Sequence, residues 1–194
     1  MFKRIITILI FVFLSTKSFA EIGFGIDVGA AYTSDSRVDS VIQERNNQGM
    51  QNITASYDDG TIFFRGFVSQ NSTDDSSLEI GIFQATGFSA DYTVANETGS
   101  DDYNVAGIDF IFNLNTFANI ELKFGGHYSF INGDDDLVLG STSHDISNTN
   151  KDGAGIVVGT GYSFGDIRTG ISYYGGIGGD SDAYMTVGTI GFAF

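Results

Sequence analysis

Two residues that could form an activated nucleophile stand two positions apart in the sequence, at His127 and Ser129. An imidazole that accepts the proton of a serine hydroxyl is the minimum requirement for this kind of catalysis. The chemistry also needs a third group that orients the histidine, and the sequence places none beside this pair. His127 and Ser129 share the two-residue phase of Glu121 and Lys123, so all four belong to one face of a strand. We therefore expect this pair to pack rather than to catalyse.

A second set of chemically active residues consists of charged side chains placed singly among apolar residues. Four are acidic and three are basic, and each falls on the glycine-rich phase of an alternating segment: Asp27, Arg65, Glu79, Asp109, Glu121, Lys123 and Arg168. If that face is enclosed, unpaired charges would be very costly, so the near balance of signs predicts a buried ion-pair network. Structural ion pairs perturb acidity as catalytic groups do, and we expect a packing role here.

The elements that must position these residues are strands, because bulky apolar residues recur at every second position. We predict eight strands, over residues 22–33, 60–70, 77–88, 102–113, 119–131, 153–165, 166–177 and 184–194. A bulge is expected near residues 84–88. Short connections alternate with longer ones, which cover residues 34–59, 89–101, 132–152 and 178–183. This alternation is typical of outer-membrane barrels.

Alternation alone does not say which face of the sheet is inside. One face is bulky and apolar, as at Ile26, Phe110 and Phe124, and the other carries glycines and the charged residues. A soluble barrel would expose the glycine-rich face to water, whereas a membrane barrel turns the apolar face to lipid. We favour the second arrangement, an all-β, eight-stranded antiparallel transmembrane up-and-down β-barrel. Five large residues would then point inward and block a water path: Phe63, Phe67, Phe83, Ile111 and Tyr174.

The composition restricts the class of protein further. The chain has no cysteine, which excludes disulfides, zinc–thiolate sites and a thiol nucleophile. Its formal net charge is −15, and it becomes −18 if Lys3, Arg4 and Lys17 are removed with an N-terminal segment. A chain this acidic is a poor partner for nucleic acid. Nothing in the sequence indicates a cofactor.

The first 20 residues have the layout of a secretory signal peptide. Lys3 and Arg4 form a basic start, residues 5–14 are apolar, and residues 18–20 supply the small residues of a cleavage site. An apolar run of about 10 residues is too short for a spanning helix, which needs about 20. We predict a cleaved signal peptide over residues 1–20 and one barrel domain over residues 21–194.

The C-terminal segment is apolar at every second position and ends on an aromatic residue. Ile190, Phe192 and Phe194 alternate with small residues, and Tyr184 opens the segment. An ending of this kind resembles that of bacterial outer-membrane β-barrel proteins of the OmpA/OmpX and opacity-porin type. The resemblance implies that Tyr184, Ile190, Phe192 and Phe194 belong to a signal that the barrel-assembly machinery reads. It also implies that the protein lies in the outer membrane of a Gram-negative bacterium, and we expect a monomer.

The longer connections are strongly acidic. Together with Asp102 they carry 16 acidic residues against Arg37, Arg45 and Lys151. If these connections face outward, they lie beside lipopolysaccharide, and divalent cations could bridge their carboxylates to lipid phosphates. A solvated rim without a specific ligand is the simpler interpretation. Gly178-Gly179-Asp180 is only faintly similar to a calcium-binding repeat.

Three functions remain open on this evidence. We favour a structural or surface role, in which the acidic loops contact lipopolysaccharide, ions or host surfaces. The alternative is a narrow channel for small solutes. The third is a lipid-modifying enzyme, because His127 and Ser129 resemble the His-x-Ser pair of outer-membrane lipid A deacylases. That family implies a lipid-facing pair followed by asparagine, whereas Phe130 follows here and the pair shares the predicted lumen face.

Overall fold

The structure is a computed structural model in which eleven strands can be described. It describes residues 22–33, 53–57, 61–73, 75–94, 97–116, 119–133, 136–139, 142–145, 152–179 and 182–194. The strands are β1 (Ile22–Thr33), β2 (Ile53–Tyr57), β3 (Thr61–Thr73), β4 (Ser76–Val94), β5 (Glu97–Asn115), β6 (Ile120–Gly133), β7 (Asp136–Leu139), β8 (Thr142–Asp145), β9 (Asp152–Phe164), β10 (Ile167–Gly175) and β11 (Tyr184–Ala193). The predicted signal peptide lies outside the described residues.

Eight of the strands close into an antiparallel barrel in the order β1-β3-β4-β5-β6-β9-β10-β11. The last strand returns to the first, with Gly25 opposite Ala193 and Thr33 opposite Met185. Two backbone hydrogen bonds between Phe24 and Phe194, of 2.9 and 2.7 Å, extend this closing pair. The predicted fold of eight antiparallel strands in a closed barrel is therefore confirmed.

The barrel has two unlike ends. At the turn end, tight connections join β3 to β4, β5 to β6 and β9 to β10, and the two ends of the described chain lie here. The opposite end, which we call the loop end, carries the connections from β1 to β3, from β4 to β5, from β6 to β9 and from β10 to β11. Within the described part of the chain, no helix is long and apolar enough to span a bilayer.

Three predicted connections contain strands, and these predictions were wrong. The segment 89–101 is mostly strand, because β4 runs to Val94 and β5 starts at Glu97. β2 lies in the predicted connection 34–59 and pairs with residues 90–94 of β4. β7 and β8 form a hairpin inside the predicted connection 132–152. The apolar alternation in these segments is short. It covers five residues in β2 and five in residues 90–94 of β4, and β7 and β8 have only four residues each, so it did not identify them as strands.

Two further details concern a bulge in β4 and the end of β10. The register of β4 against β5 shifts between Ala85 and Phe88, which confirms the bulge expected there. The bulge turns Phe88 into the barrel, where its ring stacks on Tyr103 at 5.2 Å between centroids. The predicted strand over 166–177 was too long: β10 ends at Gly175, and a 3-10 turn over Ile177–Gly179 follows it.

The bulky apolar face of the sheet lies outside and the face with the glycines and charged residues lies inside, as the sequence predicted. Ile82 is 68% exposed and Ile156 is 58% exposed on the outer surface. The five large residues expected inside are all buried: Phe63, Phe67, Phe83, Ile111 and Tyr174. Bulky apolar side chains therefore cover the outside of the barrel, and the lumen is filled.

Candidate functional site

The lumen near the turn end holds an ion-pair cluster centred on Arg65. Its Nε and Nη2 donate to the two carboxylate oxygens of Asp109 at 2.7 and 2.8 Å. Its Nη1 donates to Glu79 Oε2 at 2.7 Å and to Asp27 Oδ2 at 3.1 Å. All four residues are buried. A guanidinium with a bidentate partner and two further carboxylates is well compensated in a low-dielectric interior.

Arg168 completes the cluster from the other side of the lumen. Its Nη1 donates to Glu79 Oε1 at 2.5 Å, and its Nε lies 3.2 Å from Asp27 Oδ1. The ring of Phe67 contacts both arginines, with Cζ of Arg65 and of Arg168 at 4.7 and 4.6 Å from its centroid. Glu79 thus joins two guanidinium groups, and the aromatic face favours both cations.

Lys123 and Glu121 are more loosely attached to this cluster. Lys123 Nζ lies 3.9 Å from Glu121 Oε2, while the Oε1 atom of Glu121 accepts a hydrogen bond from Ser163. Lys123 also borders a cavity of about 10 Å³, together with Asp27 and Ser172. A cavity of this size and polarity holds about one water molecule. The structure therefore places the seven charged residues in the lumen, five in one connected cluster and two beside it.

Tyr174 also belongs to the cluster, although the sequence predicted only that its side chain would help to fill the lumen. Tyr174 Oη donates a hydrogen bond of 3.1 Å to Asp109 Oδ2. The two residues are 65 positions apart on β10 and β5. The alternation in β10 predicts that Tyr174 points into the lumen, but it does not predict that Tyr174 and Asp109 lie at the same level along the barrel axis.

Glycines on the lumen face make room for the large side chains. A Cβ added at Gly81 would lie 2.7 Å from Arg65 Nε. One added at Gly107 would lie 2.6 Å from Cζ of the Phe83 ring. Each contact is closer than real Cβ atoms allow, so these positions require glycine if the neighbours are to stay in place. The abundance of glycine on one face thus follows from the packing of the lumen.

Residues 176–179, which we call the plug, pack into the loop-end half of the lumen beside a cluster of buried apolar side chains. Ile177 is 1% exposed within a cluster that also contains Phe63, Phe83 and Tyr174. Gly178 adopts φ 63°, a left-handed conformation that favours glycine. The Gly178 N–H donates to Ser129 Oγ at 2.9 Å, which fixes the plug to β6.

His127 and Ser129 therefore both pack inside the barrel. His127 is buried, with Nε2 3.0 Å from the carbonyl oxygen of Gly175 and its ring against Phe83 and Tyr174. Ser129 is fully buried beneath the plug. Neither side chain faces the outer surface, where the acyl chain of a lipid would lie, so the resemblance to the deacylases does not extend to the position of the pair.

The predicted C-terminal signal lies on the outer surface of β11 and just beyond it. Ile190, Phe192 and Phe194 are exposed, and Phe194 is the most exposed of the three. Tyr184 lies at the loop end of the same strand, 5.7 Å from Tyr173 between ring centroids. An exposed position is compatible with recognition by another protein, but the recognition itself stays a prediction.

The acidic connections are described only in part. Asp91, Asp102, Asp152 and Asp182 are exposed, and Asp152 accepts a hydrogen bond from Tyr128 Oη. Across the segments that the structure describes, no group of three or more His, Cys, Asp or Glu is arranged to hold a metal ion. Eight of the acidic residues in these connections, including Asp180 of the Gly178-Gly179-Asp180 segment, lie outside the described residues: Asp35, Asp39, Glu44, Asp58, Asp59, Asp134, Asp135 and Asp180.

These features define the class of the protein. A closed antiparallel barrel of eight strands, with paired charges enclosed and large apolar side chains outside, is the architecture of a small outer-membrane-type β-barrel.

The chain is similar to several solved structures. Neisserial surface protein A is 12% identical, with a TM-score of 0.45 over 89% of this chain and 95% of its own. Ail, the attachment invasion locus protein of Yersinia pestis, is 10% identical, with a TM-score of 0.48 over 89% and 98%. The outer membrane protein OprG from Pseudomonas aeruginosa is 12% identical, with a TM-score of 0.45 over 89% and 95%. At this identity the likeness does not extend to function. No protein-family model and no curated protein matches the sequence.

Proposed function

We propose that this protein is a barrel of the Gram-negative outer membrane that crosses the bilayer with eight strands and has a structural or surface-interaction role. The observation that supports this most directly is the reversed polarity of the barrel. Within the described ranges, 24 large hydrophobic side chains are exposed on its outside. Contiguous apolar surface on this scale is not found on soluble monomers, whereas hydrocarbon is a suitable environment for it.

The filled lumen favours a surface role over the transport of solutes. Seven charged residues occupy the turn-end half, and an apolar cluster with the plug occupies the loop-end half. An eight-stranded barrel is just wide enough for its side chains to fill, and here they do so. The loop end, with its strand extensions and acidic connections, is then the part that meets lipopolysaccharide, cations or host surfaces.

The two other candidate functions receive less support. A narrow channel would require both the ionic cluster and the apolar layer to move aside. A lipid-modifying enzyme would require His127 and Ser129 to reach the outer surface, and both are buried in the lumen.

A depth-dependent penalty for charge on the outer surface tests membrane insertion. Ile171 lies in the middle of β10 and Ile167 at its turn end, and both point outward. In a bilayer, Ile171→Lys should lower the free energy of unfolding by about 2–4 kcal/mol, whereas Ile167→Lys should lower it by about 0–1 kcal/mol. The two variants are compared by urea titration of the barrel refolded in phospholipid vesicles, with mobility on unheated gels as the readout.

Equal effects of the two variants, or a purified chain that is soluble and monomeric without detergent, would contradict the proposal. Conductance across a planar bilayer separates the surface role from the channel. The surface role predicts no discrete openings, and stable openings would favour the channel. Loss of a measured lipid A deacylase activity in His127→Ala would restore the enzyme as a candidate.

A further inference from the structure

The cavity of about 10 Å³ in the lumen lies directly beside the ion-pair cluster. Asp27, Lys123 and Ser172 border it, and all three are buried. Phe63 and Val187 supply apolar parts of its wall, and these two residues are at most 1% exposed. The cavity is therefore formed by buried side chains that carry opposite charges, and its volume admits about one water molecule.

Lys123 reaches this cavity because glycines on two neighbouring strands leave room for its side chain. A Cβ added at Gly161 on β9 would lie 3.2 Å from Lys123 Cε, and one added at Gly170 on β10 would lie 3.3 Å from Nζ. Gly170 is opposite Thr189 of β11 in the sheet register, and Thr189 also borders the cavity. The ammonium group has therefore crossed from β6 toward β11, which pairs with the strand that carries Asp27.

The ammonium group of Lys123 is short of hydrogen-bond acceptors. It carries three N–H donors. Glu121 Oε2 lies 3.9 Å from Nζ, which is beyond hydrogen-bond distance. Among the described residues, no oxygen accepts a hydrogen bond from Nζ. A buried ammonium group without acceptors would be very costly, so an acceptor is needed at the end of this side chain.

A buried acceptor without a donor belongs to Asp27, on the other side of the cavity. Asp27 Oδ2 accepts a hydrogen bond from Arg65 at 3.1 Å, but Oδ1 accepts none. Arg168 Nε lies 3.2 Å from Oδ1 without the geometry of a hydrogen bond. Three other described residues have a buried side-chain atom without a hydrogen-bond partner, and none of them borders the cavity: Asn113, Glu121 and His127.

We propose that the cavity is a binding site for one ordered water molecule, which accepts a hydrogen bond from Lys123 Nζ and donates one to Asp27 Oδ1. The hydroxyl of Ser172, which makes no hydrogen bond to the described residues, is the third partner of this water. Three hydrogen bonds are the usual number for a buried water. Lys123 then joins the ion-pair cluster through Asp27 and the water, and not through Glu121.

The charges around the cavity favour water over an ion. A cation would lie beside Lys123 and Arg65, which both border the cavity. An anion could accept a hydrogen bond from Lys123, but it could not donate one to Asp27 Oδ1. Water donates and accepts, and it fits the volume. The inference concerns the inside of the barrel and does not depend on the role proposed for the protein in the outer membrane.

Two substitutions of Ser172 separate the space for the water from one of its hydrogen bonds. Ser172→Ala removes the hydroxyl and leaves the cavity open, whereas Ser172→Val removes the hydroxyl and fills the cavity with methyl groups. Crystal structures of the barrel at a resolution that shows ordered water are compared. We expect a density peak within about 2.7–3.2 Å of both Lys123 Nζ and Asp27 Oδ1 in the wild type and in Ser172→Ala. Ser172→Val should have no such peak.

Double-mutant cycles test whether Lys123 is coupled to Asp27 or to Glu121. Urea midpoints of the refolded barrel are measured for Lys123→Met, Asp27→Asn, Glu121→Gln and the two double variants that contain Lys123→Met. The effects of Lys123→Met and Asp27→Asn should deviate from additivity by about 0.5 M urea or more. The effects of Lys123→Met and Glu121→Gln should add to within about 0.2 M.

An empty cavity in the wild-type crystal structure, or a direct hydrogen bond between Lys123 Nζ and Asp27 Oδ1, would overturn the proposal. A peak that persists in Ser172→Val would also contradict it, because the water would then lie elsewhere. The same holds for a coupling of Lys123 to Glu121 that equals or exceeds its coupling to Asp27. If Ser172→Val does not fold, the wild-type structure and the cycles remain sufficient to decide.

Discussion

Glu79→Gln should be among the most destabilising single substitutions in the barrel, although it changes little of the residue's volume. Glu79 is 1% exposed and accepts from Arg65 Nη1 at 2.7 Å and from Arg168 Nη1 at 2.5 Å. A neutral amide leaves the two guanidinium groups with Asp27 and Asp109 as their remaining partners in the connected cluster. Removing one member of a buried ion pair costs about 3–5 kcal/mol, chiefly because the remaining charge stays desolvated.

The assay is urea titration of the refolded barrel, with mobility on unheated gels as the readout. With a denaturant slope of about 2 kcal/mol per molar urea, the expected loss moves the midpoint down by about 1.5–2.5 M. Glu121→Gln makes the same chemical change at the edge of the network, where Lys123 Nζ is 3.9 Å away. It should cost about 1 kcal/mol or less. If Glu79→Gln and Glu121→Gln had the same midpoint, the central role of Glu79 would be refuted.

Two further predictions concern the glycines of the barrel and the C-terminus. Gly81→Ala should lower the free energy of unfolding by about 1–3 kcal/mol, because the new Cβ would lie 2.7 Å from Arg65 Nε. Gly66→Ala, which meets nothing within 4 Å, should change it by less than about 0.5 kcal/mol, and urea titration compares the two. Phe194→Ala should reduce the folded barrel in outer-membrane fractions of cells but leave the yield of refolding in detergent near that of the wild type. A matching loss in detergent would make Phe194 a packing residue instead of an assembly signal.

The sequence was sufficient to find the eight barrel strands because each carries its own two-residue alternation. It also identified the inward residues, since the phase of β3 alone assigns Arg65 and Phe67 to the same face, without any knowledge of the neighbouring strands. It failed where the alternation ends. β2, β7 and the loop-end part of β4 carry at most five alternating residues, and their pairing depends on the strands beside them.

The sequence predicted which residues point into the lumen better than it predicted which of them contact one another. Asp27 and Arg65 are opposite one another on adjacent strands, a pairing that a correct register would give. Glu79 and Arg168 are 89 positions apart and meet across the lumen. Their contact depends on the stagger of all eight strands, which no local pattern contains. The hydrogen bond from Gly178 to Ser129 depends on the 3-10 turn over Ile177–Gly179, which falls at the boundary between a predicted strand and a predicted connection.

The sequence by itself divided the residues of each strand between the two faces of the sheet. Charged and glycine positions share one phase and bulky apolar positions share the other, and each phase is a local property of a pleated strand. Only the closed barrel decided which charges meet and where the plug lies. Those relations join residues from different strands, and the tilt and stagger required for closure fix their relative heights.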